Sequence, residues 1–144
     1  VSNAFMTPEI TGGKCAVVVS DELPPGLRAN AASVLTMTLG HRVPGLIGPD
    51  VKDADGTVHP GIVLIPVPVL TASNDRLREI WELAGHGDVV RAGFSSLAQS
   101  CRTYDEYTDR MSGTATQDLD FAGVAMFGPR KQVNKIVGSL PLMR

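Results

Sequence analysis

The chain has 144 residues, 43% of them hydrophobic and 19% charged, with 13 basic against 15 acidic side chains and a formal net charge of -2. That length suits one domain with a core that needs no disulfide or metal staples, and the slight acidic balance excludes the basic footprint of a general nucleic-acid binder. Two cysteines, Cys15 and Cys101, make no disulfide framework and point to a reducing cytoplasm.

Ser2-Asn3-Ala4 reads as the remnant of a cleaved expression tag, with Met6 as the native start, so 1–5 are set aside and 6–144 are read as a single α/β domain. No charged n-region with an apolar core is visible, and no apolar run approaches the ~20 residues of a membrane helix. Met6 to Gly13 reads as a lead-in. Cys15-Ala16-Val17-Val18-Val19 is a continuous apolar run, as in a strand covered on both faces. Asp21 follows, Pro24-Pro25-Gly26 breaks the strand, and Leu27 to Leu39 reads as a helix with Gly40 as its stop. That helix places Leu27, Ala31, Val34, Leu35 and Leu39 on one broad side.

Gly40 to Gly61 is irregular. Val43 to Gly48 and Thr57-Val58-His59 read as the arms of a small hairpin, turned by Asp53-Ala54-Asp55-Gly56. His41 and His59 fall in loops with no metal-ligand spacing, and the aspartates lack the remaining ligands of a calcium loop. Ile62-Val63-Leu64-Ile65 reads as a second strand ended by Pro66 and Pro68. Ser73 or Asn74 caps the next helix, whose Leu77, Ile80, Trp81 and Ala84 form one apolar face. Asp88 to Phe94 is a third strand. Thr103-Tyr104-Asp105-Glu106 is a capping-box pattern that starts a short helix stopped by Gly113. Leu119 to Phe127 is the last strand, in which Gly123 marks a bulge or the close approach of another backbone. Arg130 to Val137 is the last helix, ended by Gly138. This order gives a three-layer α/β/α sandwich around a mixed, mainly four-stranded sheet.

In open α/β sheets ligands sit at the carboxyl ends of strands. The candidate site residues are therefore Asp21 after the first strand, Arg28 and Asn30 in the first turn of the helix that follows, and Ser96 after the third strand. Tyr104 and Tyr107, the only tyrosines, share a face of the short helix beside them. Each has a plain structural account: a solvated charge for Arg28, local backbone bonding for Asn30, and sheet-covering rings for the tyrosines. No Gly-x-Ser-x-Gly elbow, Walker loop or dinucleotide fingerprint is present, so no cofactor and no metal are expected.

The ending resembles the close of the peptidyl-tRNA hydrolase II fold, with Gly128-Pro129, Val137-Gly138 and Leu140-Pro141-Leu142 in order. Asn30, Tyr104-Asp105-Glu106-Tyr107, Gly123-Val124 and Val137 to Leu142 resemble more closely a family of uncharacterised bacterial proteins, the domain-of-unknown-function family numbered 2000. The first resemblance implies lysines around the first turn, a Gln and a His along the first helix, and an acid after the third strand. This chain has Leu27 and Arg28, Ala32 and Leu35, and Ser95-Ser96-Leu97-Ala98-Gln99 there, so only Arg28 matches in charge. The second implies the fold and no activity.

Three classes of function follow, none of them assigned. The first is a small-molecule-binding protein or enzyme using the crevice after the first strand. The second is a hydrolase on a peptidyl-tRNA-like ester, the only nucleic-acid partner expected. The third is a non-catalytic homodimeric interaction domain, since the fold relatives are dimers.

Overall fold

Gly13 to Ser20 form β1, the centre of the computed structural model, which describes residues 6–144. Its Ala16, Val17, Val18 and Val19 are all fully buried, because helices cover both faces. β1 lies between β4 (Val69–Ala72), which is parallel to it, and β6 (Phe121–Pro129), which is antiparallel. β5 (Val90–Ser95) closes the sheet as the antiparallel neighbour of β6, giving the order β4-β1-β6-β5. Three of the four strands thus run in one direction, with their carboxyl ends at one pole.

The strand alternation divides the core in two. Cys15, Val17 and Val19 face α2 (Pro25–Arg42) and pack with its Ala31, Leu35 and Leu39. Ala16 and Val18 face α3 (Asn74–Leu83) and α6 (Arg130–Val137), where Leu77, Ile80, Val133 and Val137 are buried. The three layers and the mixed four-stranded sheet agree with the sequence reading. Gly123 pairs with Val19, and a Cβ there would lie 2.8 Å from both the Val18 carbonyl oxygen and Leu35 Cδ1. The expected close approach is therefore present, and the sheet irregularity lies beside it: Phe94 faces Gly123 and Ser95 faces Phe121, which leaves Ala122 as the extra residue. Trp81 is half-buried, stacked on Phe121 with centroids 5.2 Å apart and covered by the Arg91 guanidinium at 3.6 Å.

Several boundaries differ from expectation. The lead-in contains a one-turn helix, α1 (Pro8–Thr11), capped by the Thr7 hydroxyl. α2 runs through Gly40 and His41 to Arg42, since Gly40 does not take the positive φ of a helix stop and the Val43 N–H closes the helix on the Leu39 carbonyl. The sheet strand beside β1 is not Ile62–Ile65 but β4. Pro66 and Pro68 have no N–H to give a ladder, so pairing begins where the Val17 N–H reaches the Pro68 carbonyl, 3.0 Å away. Val63, Leu64 and Ile65 spend their apolar surface against the α2-side core. Leu46 to Gly48 does pair, but with 62–64, through Gly48 N–H to the Ile62 carbonyl at 2.8 Å and Leu64 N–H to the Leu46 carbonyl at 2.9 Å. The hairpin proper joins β2 (Val51–Lys52) to β3 (Val58–His59). Asp53 Oδ1 accepts the Asp55 and Thr57 N–H groups in its turn. The last strand starts at Phe121, after a 3-10 turn at Thr116–Asp118. The reading of 1–5 as a tag remnant lies outside the described residues.

Cys15 sits on the α2-facing side of β1, and burial raises its thiol pKa from 9.0 to about 11. The folded state holds this proton more tightly than the unfolded chain. Its contribution to stability is therefore complete below pH 9 and is lost as pH rises towards 11. Between about pH 8 and about pH 10.5 the parent should lose about 2 kcal/mol more than Cys15→Ala in urea unfolding. Equal losses in the two would show that the thiol ionises as freely folded as unfolded.

Candidate functional site

The turn after β1 is fixed by backbone and side-chain bonds that converge on it. The Asp21 N–H reaches the Ala72 carbonyl at 2.9 Å, which ties the ends of the parallel pair together. Ser20 is 2% exposed, and its hydroxyl bonds Asn74 Oδ1 at 2.6 Å and takes the Glu22 N–H at 3.2 Å. Glu22 Oε2 in turn accepts the Asn74 N–H at 3.2 Å, a carboxylate at the positive end of α3. Ser73 provides the side-chain cap of the same helix.

Arg28 is engaged within this turn. Its Nε donates to the Leu23 carbonyl at 2.6 Å and its Nη2 to the Asp21 carbonyl at 2.8 Å. Asn30 is exposed, and its Oδ1 accepts from Gln99 Nε2 at 3.2 Å, which also reaches the Leu27 carbonyl at 3.0 Å. Gln99 belongs to α4 (Ser96–Ser100), capped by the buried Ser95 hydroxyl. Ser96 is exposed and donates its backbone N–H to the Asp120 carbonyl at 2.8 Å. Arg28 thus braces the turn internally, while Asn30 and the Leu27 carbonyl form a strut to α4 through Gln99.

Tyr104 and Tyr107 stand apart from that strut. They lie on α5 (Tyr104–Ser112), started by the Thr103 hydroxyl accepting the Glu106 N–H at 3.1 Å. Glu106 reaches back to the Arg102 N–H at 3.2 Å rather than to Thr103, and its other oxygen faces Arg110 at 3.5 Å. The two rings meet edge to face with centroids 5.4 Å apart. They line a cavity of about 350 Å³ with Phe94, Cys101, Arg102 and Thr38, bounded by α2, β5 and α5. Asp21, Arg28, Asn30 and Ser96 do not line it.

A larger cavity of about 740 Å³ lies at the opposite pole, between α1, the end of α2 and the end of β6. Its charged residues, Glu9, Arg42 and Asp88, are exposed and of mixed sign. Both spaces are open clefts, and in the smaller one Arg102 is exposed and Tyr104 is 78% exposed, so the distinction rests on lining chemistry and not on shelter. The smaller cavity combines three aromatic rings with a single guanidinium. Phe94, Cys101 and Arg102 were absent from the sequence-derived candidates, although the Thr103 to Glu106 capping pattern fixes where Arg102 must stand. Among the described residues no group of three or more His, Cys, Asp or Glu is placed to hold a metal ion.

The sheet order and the two-faced helical cover define a mixed α/β domain. The chain matches, over residues 13–144, a family described as a protein of unknown function, DUF2000, and it belongs to that family. It is similar in fold to a protein of unknown function, Atu0240, from Agrobacterium tumefaciens strain C58. The TM-score is 0.85 at 20% identity, covering 92% of this chain and 98% of that one. No curated protein matches it.

Proposed function

We propose that the domain is a small-molecule-binding protein, or an enzyme acting on a small molecule, whose ligand occupies the cavity between α2, β5 and α5. The observation that carries this reading is the cavity lining, in which Tyr104, Tyr107 and Arg102 stand around a space of about 350 Å³, a size within the range of small-ligand sites. The lack of a membrane-crossing helix among the described residues and the two free thiols fit a reducing cytoplasm. The element order supports the peptidyl-tRNA hydrolase II-like reading of the fold and one domain over 6–144. The ester-hydrolase reading is weakened because Arg28, its one matching cation, already holds two backbone carbonyls.

A thermal-shift screen of small metabolites on the parent and on Tyr107→Ala tests the reading. A ligand present at about a hundred times its Kd should raise the Tm of the parent by about 5–10 °C and shift the variant far less. Equal shifts in both, or none in the parent, would remove the cavity from consideration.

A homodimeric interaction domain is the second reading, favoured by Met37 and Ile47. They are 79% and 50% exposed and share the rim of an apolar hollow with Val63 and Val67. Sedimentation of the parent beside Met37→Lys checks it. A parent that stays monomeric at high concentration ends this reading.

A further inference from the structure

Resting on the cavity reading above, the geometry points to a planar aromatic molecule with a single negative charge, an aromatic carboxylate or its equivalent, as the ligand class of that site. Arg102 is the only charged residue in the lining. Its side chain makes no hydrogen bond or ion pair among the described residues, and only its backbone N–H is engaged, by Glu106.

The other cation nearby is committed. Arg110 Nη1 is shared between the Ser100 hydroxyl at 3.1 Å, Glu106 at 3.5 Å and the Cys101 sulfur at 3.7 Å. Glu106 is thereby turned to Arg110 and to the Arg102 backbone N–H, and it forms no ion pair with the Arg102 guanidinium among the described residues. A guanidinium without a partner presents a planar set of donors that matches a carboxylate in two parallel bonds.

The rest of the lining favours a flat apolar body. Phe94, Tyr104 and Tyr107 contribute three rings, and the two tyrosines already meet edge to face. Aromatic pairs prefer offset-stacked or edge-to-face contacts, so the lining rings are suited to contact a flat aromatic ligand. The Thr38 hydroxyl donates to the Val34 carbonyl and keeps its acceptor sites, while the Thr103 hydroxyl accepts the Glu106 N–H and keeps its donor. The charged recognition in this cavity falls to Arg102 alone, with the hydroxyls of Thr103 and the two phenols as neutral partners. A cationic ligand would meet the guanidinium with like charge, and a long flexible one would exceed the volume.

Three probes of one shape and different charge, benzoate, benzamide and benzylamine, distinguish the possibilities in amide NMR titrations of the whole chain. Benzoate should shift the amides of Gly93, Cys101 and Tyr107 and bind at least about tenfold more tightly than benzamide, because only the carboxylate forms charge-assisted bonds. Arg102→Gln should erase that difference, and Arg102→Lys should restore part of it. Unchanged spectra of both variants away from the cavity would show that the fold is kept. Equal binding of benzoate and benzamide, or tighter binding of benzylamine, would overturn the anionic class while leaving a ligand site in place. No shift with any of the three would overturn the aromatic class as well, and the metabolite screen then decides the cavity reading separately.

Discussion

Gly123→Ala should destabilise the domain by about 1–3 kcal/mol, read as a lower urea midpoint with an unchanged slope. The usual effect of replacing glycine with alanine at an unstrained backbone position is a gain of about 0.4–1 kcal/mol, because the unfolded chain has less freedom to lose. Gly123 takes no positive φ, so that gain is available here. The collision decides the sign. The added carbon would stand 2.8 Å from the Val18 carbonyl oxygen, which belongs to the neighbouring strand and has no rotamer with which to move away. It would also stand 2.8 Å from Leu35 Cδ1. β1 and β6 are the two inner strands of the sheet, so a forced separation propagates to both core faces. A variant as stable as the parent would mean that these strands part at no cost.

Leu35→Ala should cost more, about 2–5 kcal/mol, since the side chain is 1% exposed and lies at the centre of the α2-side core. The double variant joins the two predictions. With Leu35 truncated, one of the two atoms that the methyl introduced by Gly123→Ala would meet is gone, and that methyl fills part of the void. The combined loss should therefore fall short of the sum by at least about 0.5 kcal/mol, while the Val18 oxygen preserves part of the glycine penalty. Simple additivity would show that the two residues do not compete for the same space.

The fold was readable where local pattern and tertiary demand agree. Val17 to Val19 form an inner strand, Leu77, Ile80 and Ala84 are buried on one helix face, and Thr103 caps α5 as its spacing with Glu106 suggested. Ile62 to Ile65 misleads because an apolar run does not say which neighbour it pairs with, and here 62–64 pair with 46–48 instead of with β1. Ile62 is 79% exposed and Val63 to Ile65 are half-buried against the α2-side core, and the absence of donors at Pro66 and Pro68 moves the β1 ladder on to Val69. Gly40 misleads because glycine can stop a helix only by adopting a left-handed conformation, and here it does not.

Two of the candidate residues coincide with the proposed cavity. The tyrosines on one helix were a usable signal, and they do line the cavity. The use of Arg28 and Asn30 was not visible, because it depends on backbone carbonyls and on Gln99, which is 69 residues away from Asn30 and leaves no local trace. Arg102 had a signal, its place just before the capping box, but nothing in the chain order shows that its guanidinium has no partner among the described residues while that of Arg110 does.

The C-terminal segment has a consequence for how copies of this protein can meet. Pro141 to Met143 lie along the outer side of β4, where the Thr71 N–H reaches the Pro141 carbonyl at 3.0 Å and the Met143 N–H reaches the Val69 carbonyl at 2.8 Å. That flank is sealed. The outer side of β5 has no such cover among the described residues, and exposed flanks of this kind recruit further strands. A sheet that can grow from one side only cannot propagate. Strand joining through β5 would use the one uncovered flank of each copy, and the cover that Pro141 to Met143 lay over β4 would hold it to a pair.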